Sequence, residues 1–187
     1  MPSCNIVLIG ASTGGLKILE ELFPRLPVLK AAVVIVQHIT PQIDQAFVGS
    51  LARVSVMPVT LALEGQALQA GQVYLAPGGV HLHLEGNRSF RLTDGEKVNS
   101  VRPSIDVAMN SLVAPVGARI AGVILTGMGH DGADGILHVK RLGGTTIAQD
   151  QKTSVIYGMP KAAAETGQID FILPTLRIAD KLRELFG

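Results

Sequence analysis

NIVLIGASTGG, residues 5–15, opens the chain with an apolar run that breaks into a glycine-rich turn. The run reads as a buried strand over residues 5–9. Behind the turn, Leu16, Leu19, Leu22, Phe23 and Leu26 recur at helical spacing over residues 16–26 until Pro24 and Pro27 stop the pattern. A strand joined to a helix by glycines is the first unit of an α/β fold. Such a turn serves one of two chemistries. It cradles a phosphate on backbone N–H groups, or it holds a serine, here Ser12, as a nucleophile at the edge of a sheet.

Working outward, strand and helix patterns alternate. A second buried strand is predicted over 31–36, followed by a helix over 43–54 with Phe47, Leu51 and Val54 on one side. The middle changes character. Short strands over 56–61, 72–76, 81–84 and 89–92 are separated by glycine turns, which suggests a β-rich insertion with a hairpin around Gly86 and Asn87. The alternation then resumes with a helix over 103–113, a strand over 119–125 and a helix over 131–142 ended by Gly143 and Gly144. A strand over 145–148, a helix over 160–165, a strand over 169–173 and a helix over 174–186 complete it. The fold class expected is α/β, a doubly wound, mostly parallel sheet flanked by helices, with a β-hairpin insertion.

Composition agrees with that class. At 187 residues, against about 100–200 residues per domain, the expectation is one domain over residues 1–187. Apolar residues make up 47% and aromatics only 4%, so the core must be built from Val, Ile, Leu and Ala, as in buried parallel strands. Sixteen Lys and Arg face fifteen Asp and Glu without a block of one sign, so neither nucleic acid nor an anionic membrane is an expected partner. Cys4 is the only cysteine, which excludes an internal disulfide framework and multi-cysteine zinc patterns. Residues 1–4 are too short for a signal peptide, and the longest apolar run, 31–36, is too short to span a bilayer. A cytoplasmic protein without direct membrane insertion is the expectation.

Open parallel sheets bind ligands at the carboxyl ends of their strands. Three such ends carry chemistry here: Ser12 after the first strand, His38 after the second, and Asp131 in TGMGHDGADG after the strand over 119–125. A serine hydroxyl becomes nucleophilic when an imidazole takes its proton, and a carboxylate fixes the imidazole tautomer and stabilises the imidazolium. Exposed N–H groups of the glycine turn, at Thr13 or Gly14, are candidate donors to an oxyanion. The nucleotide readings fail at their most specific residues. A P-loop requires Gly-Lys-Ser/Thr, where Gly15 is followed by Leu16 and Lys17, and a dinucleotide fingerprint requires a glycine at Ser12 and an acid where Gln37 and His38 stand. The segment 10–14 fits G-x-S-x-G, but the α/β-hydrolase order of Ser, acid, His is not the order found.

Plainer roles stand beside these. A serine in a glycine turn also serves as a helix N-cap, and Asp131 can cap its own helix. His38 closes an apolar strand and needs a partner or a task. His81 and His83 share one face of a strand and could join Asp131 or Asp134 around a metal. Without cysteine or a further histidine at ligand spacing, two half-exposed hairpin histidines are expected instead, with neither metal nor cofactor. Met128 and Met159 are expected in the core or lining the pocket.

Read together, LIGASTGG, VQHI, VYLAPGG, RPSIDV, GVILTGMGHDGADG, GGTTIAQD and YGMPKAA, in this order over almost the whole chain, resemble the catalytic domain of the bacterial chemotaxis protein-glutamate methylesterases. The resemblance implies hydrolysis of glutamyl methyl esters on the cytoplasmic helices of methyl-accepting chemotaxis receptors, with release of methanol, and deamidation of receptor glutamines as in many members. It places the triad on Ser12, His38 and Asp131 and the oxyanion site on the serine loop and the segment holding Met128. It requires no cofactor and no metal.

The resemblance has departures. Full-length members carry an N-terminal receiver domain, whereas this sequence begins at the first catalytic strand. It is then a fragment, or an esterase regulated otherwise, for example by a separate receiver or regulatory protein. After His38, ITPQIDQAF replaces a Pro-Pro-Gly-Phe-Thr type of segment, and His130 stands where Asn is frequent. The first change bears on the substrate more than on catalysis. Two rivals follow: a stand-alone esterase or amidase with another substrate, and a non-catalytic signalling module binding through the same crevice.

Overall fold

A sheet of seven strands, all parallel, forms the centre of the molecule, in the order β3-β4-β2-β1-β7-β8-β9. The structure is a computed structural model describing residues 4–187, so of the lead-in over residues 1–4 only Cys4 lies among the described residues. The sheet strands are β1 (Ile6–Ala11), β2 (Ala32–Gln37), β3 (Val59–Leu61), β4 (Val73–Leu75), β7 (Ile120–Ile124), β8 (Thr145–Gln149) and β9 (Phe171–Leu173). A separate antiparallel hairpin pairs β5 (His81–Glu85) with β6 (Ser89–Thr93). The helices are α1 (Gly15–Leu22), α2 (Asp44–Ala52), α3 (Ile105–Asn110), α4 (Ala133–Arg141), α5 (Met159–Glu165) and α6 (Thr175–Phe186).

Every residue of β1 and β2 is buried, because helices cover both faces of the sheet. Alternate side chains divide between two cores. Val7, Ile9, Val33 and Ile35 pack with Leu19 and Leu22 of α1, Phe47 of α2, and Ile178 and Leu182 of α6. Ile6, Leu8, Val34 and Val36 pack on the other face with α3, α4, α5 and the hairpin, through Met109, Ile136, Met159, Leu84 and Phe90. Period-two alternation of purely apolar residues thus builds both layers.

The expected β-rich insertion is corrected in part. Residues 59–61 and 73–75 belong to the main sheet, where β3 and β4 extend it beyond β2 in parallel, while the stretch between them leaves the sheet and pairs with β6 through Ala67 and Ser89. Only β5–β6 stands apart, turning through Gly86 (φ 56°) and Asn87 (φ 58°), a pair of left-handed residues suited to a tight hairpin. The helix predicted over 103–113 is shorter, with Ser104 as N-cap in extended conformation and its Oγ accepting the Val107 N–H at 3.4 Å. Pro24 does not end α1 abruptly but passes it into one 3₁₀ turn, Phe23–Arg25. No helix among the described residues is long and apolar enough to cross a membrane.

Strand order reverses at β1, which has β2 on one side and β7 on the other. The loops leaving these three strands therefore meet in one crevice, where open α/β sheets bind ligands.

Candidate active site

Ser12 follows β1 directly, and its loop is tied down from several sides. Its N–H donates to Thr126 O at 2.9 Å, and its carbonyl accepts Gln37 Nε2 and the Gly15 N–H, both at 2.8 Å. The Thr13 carbonyl accepts Thr126 Oγ1 at 3.0 Å. In a trans peptide the N–H points opposite to the C=O of the preceding residue. Fixing the carbonyls of Ser12 and Thr13 therefore turns the N–H groups of Thr13 and Gly14 the other way, and neither has a hydrogen bond among the described residues. Space is tight beneath Ser12. A Cβ on Gly127 would lie 2.7 Å from Ser12 Cβ, and one on Gly15 would lie 2.1 Å from Gln37 Oε1. Gly14 is left-handed at φ 81° and forms the N-terminal boundary of α1.

His38 follows β2, its N–H continuing the ladder to Ala11 O at 3.1 Å. Its side chain is 12% exposed, and Nε2 lies 2.7 Å from Asp131 Oδ2. Asp131 is 3% exposed and held from every side. Oδ2 also accepts the Ile105 N–H at 2.7 Å, while Oδ1 accepts Ser104 Oγ at 2.8 Å, Asn99 Nδ2 at 2.9 Å and the Asp106 N–H at 3.2 Å. Burial pushes its pKa up, but the bonds from His38, Ile105, Asn99 and Ser104 outweigh it and hold the carboxyl at about 2. An ionised carboxylate only accepts, so the neutral imidazole carries its proton on Nε2. Nδ1 is then the basic nitrogen, without a hydrogen bond among the described residues.

Ser12 and His38 line one cavity of about 350 Å³, walled by Leu16, Lys17, Ile39 and Phe47. Asp131 lies behind His38, outside the cavity. Volume does not single the site out, since hollows of about 550 and 370 Å³ flank His83 on the hairpin. The serine there, Ser111, is already committed, accepting the Leu84 N–H and donating to Ala108 O. The arrangement at Ser12 offers a hydroxyl without a hydrogen bond among the described residues, a tautomer-fixed imidazole and open backbone donors, the components of acyl transfer.

Two expectations need correction. His81 is buried rather than half-exposed, because residues 94–104 fold over it: Nε2 donates to Glu96 O at 2.8 Å and Nδ1 accepts the Ser104 N–H at 3.2 Å. With both nitrogens engaged it is a structural residue, and among the described residues no cluster of three His, Cys, Asp or Glu side chains could hold a metal. Met128, expected in the core or lining the pocket, is 70% exposed and belongs to neither, whereas Met159 is fully buried against Gly127 as a core residue. Gln37, Asn99, Ser104, Asp106 and Thr126 were not singled out from the sequence. Their contributions are hydrogen bonds between loops distant in sequence, and only the polar Gln37 closing an apolar strand gave any signal.

Against known proteins, the sequence profile described as CheB methylesterase matches residues 7–182. The chain is 42% identical over 184 residues to the protein-glutamate methylesterase/protein-glutamine glutaminase of Pyrococcus horikoshii, covering 96% of the chain and 50% of the relative. It is 41% identical over 187 residues to the protein of that name from Thermotoga maritima, covering 98% and 54%. The chain thus spans about half the length of the curated relatives it matches. The crystal structure of the Thermotoga maritima CheB methylesterase catalytic domain superposes with a TM-score of 0.93 at 40% identity, over 98% of this chain and 99% of that one.

Proposed function

Since the chain belongs to the CheB methylesterase family, we propose that residues 1–187 form one catalytic domain that hydrolyses glutamyl methyl esters on chemoreceptors, with Ser12, His38 and Asp131 as its triad. The observation that carries the reading is the 2.7 Å bond from His38 Nε2 to a carboxylate held ionised, beside a serine that lines the same cavity as His38.

In this reading Ser12 Oγ attacks the ester carbonyl as His38 Nδ1 takes its proton, and the negative charge of Asp131 stabilises the imidazolium. The oxyanion is received by the N–H groups of Thr13 and Gly14. The segment around Met128, which is exposed and follows the Gly127 packed against Ser12, is assigned to the substrate loop in this reading. Collapse of the tetrahedral intermediate releases methanol, which leaves with the proton from His38. Water, activated by the same nitrogen, then hydrolyses the glutamyl-enzyme to glutamate and free Ser12. A glutamine side chain follows the same course and releases ammonia, in line with the second half of the relatives' name. No step calls on a metal or cofactor. The proposed partners are the methylated cytoplasmic helices of chemotaxis receptors, which makes a cytoplasmic location part of the proposal.

The test is methanol release from membranes carrying radiolabelled receptor methyl esters. Release by the protein, with a loss of about 10³-fold or more in Ser12→Ala, supports the reading. Labelling of Ser12 by small activated esters without release from receptors would retain the chemistry and overturn the receptor as substrate.

A further inference from the structure

Behind the triad lies a second buried carboxylate, Asp106, 4% exposed, in the first turn of α3. Its Oδ1 accepts the N–H groups of Gly132 at 2.9 Å and Gly135 at 2.7 Å. These amides belong to the turn that starts immediately after Asp131. Asp131 in turn accepts the N–H groups of Ile105 and Asp106 and the hydroxyl of Ser104. The two segments therefore exchange carboxylates: the backbone of residues 105–106 holds Asp131, and the backbone of residues 132–135 holds Asp106.

A third group ties the pair. Asn99 Nδ2 lies 2.8 Å from Asp106 Oδ2 and 2.9 Å from Asp131 Oδ1, so its two hydrogens go one to each carboxylate. Asn99 (φ 54°) and Ser100 (φ 65°) are the left-handed central residues of a turn closed by mutual N–H to C=O bonds between Val98 and Val101 at 3.0 and 3.1 Å. The packing leaves little slack. A Cβ on Gly132 would meet Ile124 at 2.5 Å and one on Gly135 would meet Met109 at 2.6 Å, which is how these amides come close enough to reach Asp106.

From this exchange we infer that Asp106 is a positioning residue, which locks the 132–135 turn so that the Asp131 carboxylate stays on the Nε2–H of His38. The inference rests on the reading of Ser12, His38 and Asp131 as the reacting set. Asp106 does not line the Ser12 cavity and acts through Asp131. Without its oxygen, the amides of Gly132 and Gly135 are left buried and unpaired, and the turn must move to satisfy them, carrying Asp131 with it.

The test compares Asp106→Ala, Asp106→Asn and Asn99→Ala with the unaltered protein. Two quantities are read: methyl ester turnover per Ser12 that labels with a fluorophosphonate, and the low-field proton resonance of His38 Nε2–H. Displacing a group that orients the base has large effects on rate, so Asp106→Ala should lower kcat about 10- to 100-fold with KM changed by less than about threefold. It should also lose the low-field resonance. Asp106→Asn keeps an oxygen facing Gly132 and Gly135 but turns its NH2 toward Asn99 Nδ2, so it should restore the resonance and the rate in part, well above Asp106→Ala. Unchanged kcat and resonance in folded Asp106→Ala would overturn the inference. So would a loss of rate that vanishes once it is normalised to labelled Ser12, since that marks a purely structural role. Should Asp106→Ala not fold, Asp106→Ser, too short to span both amides, decides by comparison with Asn99→Ala, which removes a direct bond to Asp131 and leaves those amides paired: a resonance shifted more than in Asn99→Ala supports the inference, and one shifted no more sinks it. If the unaltered protein releases no methanol yet the resonance responds as expected, the functional reading fails and the positioning role stands.

Discussion

At Asp131 burial and hydrogen bonding act in opposite directions, and the bonds win, which makes a pH dependence calculable in sign. Its folded pKa of about 2 lies below the ordinary value of about 3.9 for an unfolded aspartate. The stabilisation is therefore complete above about pH 4 and is lost as pH falls through about 2, and a shift of this size is worth on the order of 2 kcal/mol. Urea unfolding at pH 5 and at pH 2.5 should show that loss in the unaltered protein and a smaller one in Asp131→Asn. Because the carboxylate stays ionised throughout, an acid limb in the rate profile above pH 4 cannot arise from Asp131. In the proposed mechanism Ser12 and His38 act on one proton. Ser12→Ala and His38→Ala should each cost about 10³-fold or more in kcat, and the double variant little beyond either alone, because groups that act as a unit are not additive.

The elements bring these residues together by ending where they do. Gly127 lies against both Ser12 Cβ and Met159 Sδ at 2.7 Å from its would-be Cβ, so Gly127→Ala must push Ser12 or the buried methionine aside. Slower acylation of Ser12 by an activated ester, by about 10-fold or more at retained helix content, is the expected result. Much of this layer was legible in the chain. Buried parallel strands announce themselves as apolar runs, and their carboxyl ends named Ser12, His38 and Asp131 directly. What lay hidden is long-range. The segment 56–76 looks like an insertion because nothing local in three-residue strands says that β4 pairs in parallel with β2 and that β3 then joins β4 at the sheet edge. The donors to Asp131 were hidden for another reason, since a backbone N–H at Ile105 or Asp106 is the same in every residue type and only the fold aims it. His81, read as half-exposed, is buried because the carbonyl of Glu96 and the N–H of Ser104 close over it, a long-range contact that nothing in its own strand announces.

For the molecule as a whole, two separate cores sandwich the sheet, and damage to either should lower stability without altering the chemistry of molecules that remain folded. Leu19 is fully buried on the α1 face. Leu19→Ala should cost about 2–5 kcal/mol in urea unfolding, while kcat per labelled Ser12 stays within about twofold of the unaltered protein. The two-faced burial of β1 and β2 has one more consequence, in the exchange of amide protons with deuterated solvent. With both faces covered and a strand paired on each side, β1 and β2 offer no local route for opening, so their amides should exchange only through global unfolding. The edge strands β3 and β9, three residues each and less buried, should exchange by local opening. Ser12 and His38 each stand within a residue of the slowest-exchanging strands. Thermal inactivation should accordingly coincide with the melting of the whole sheet rather than precede it.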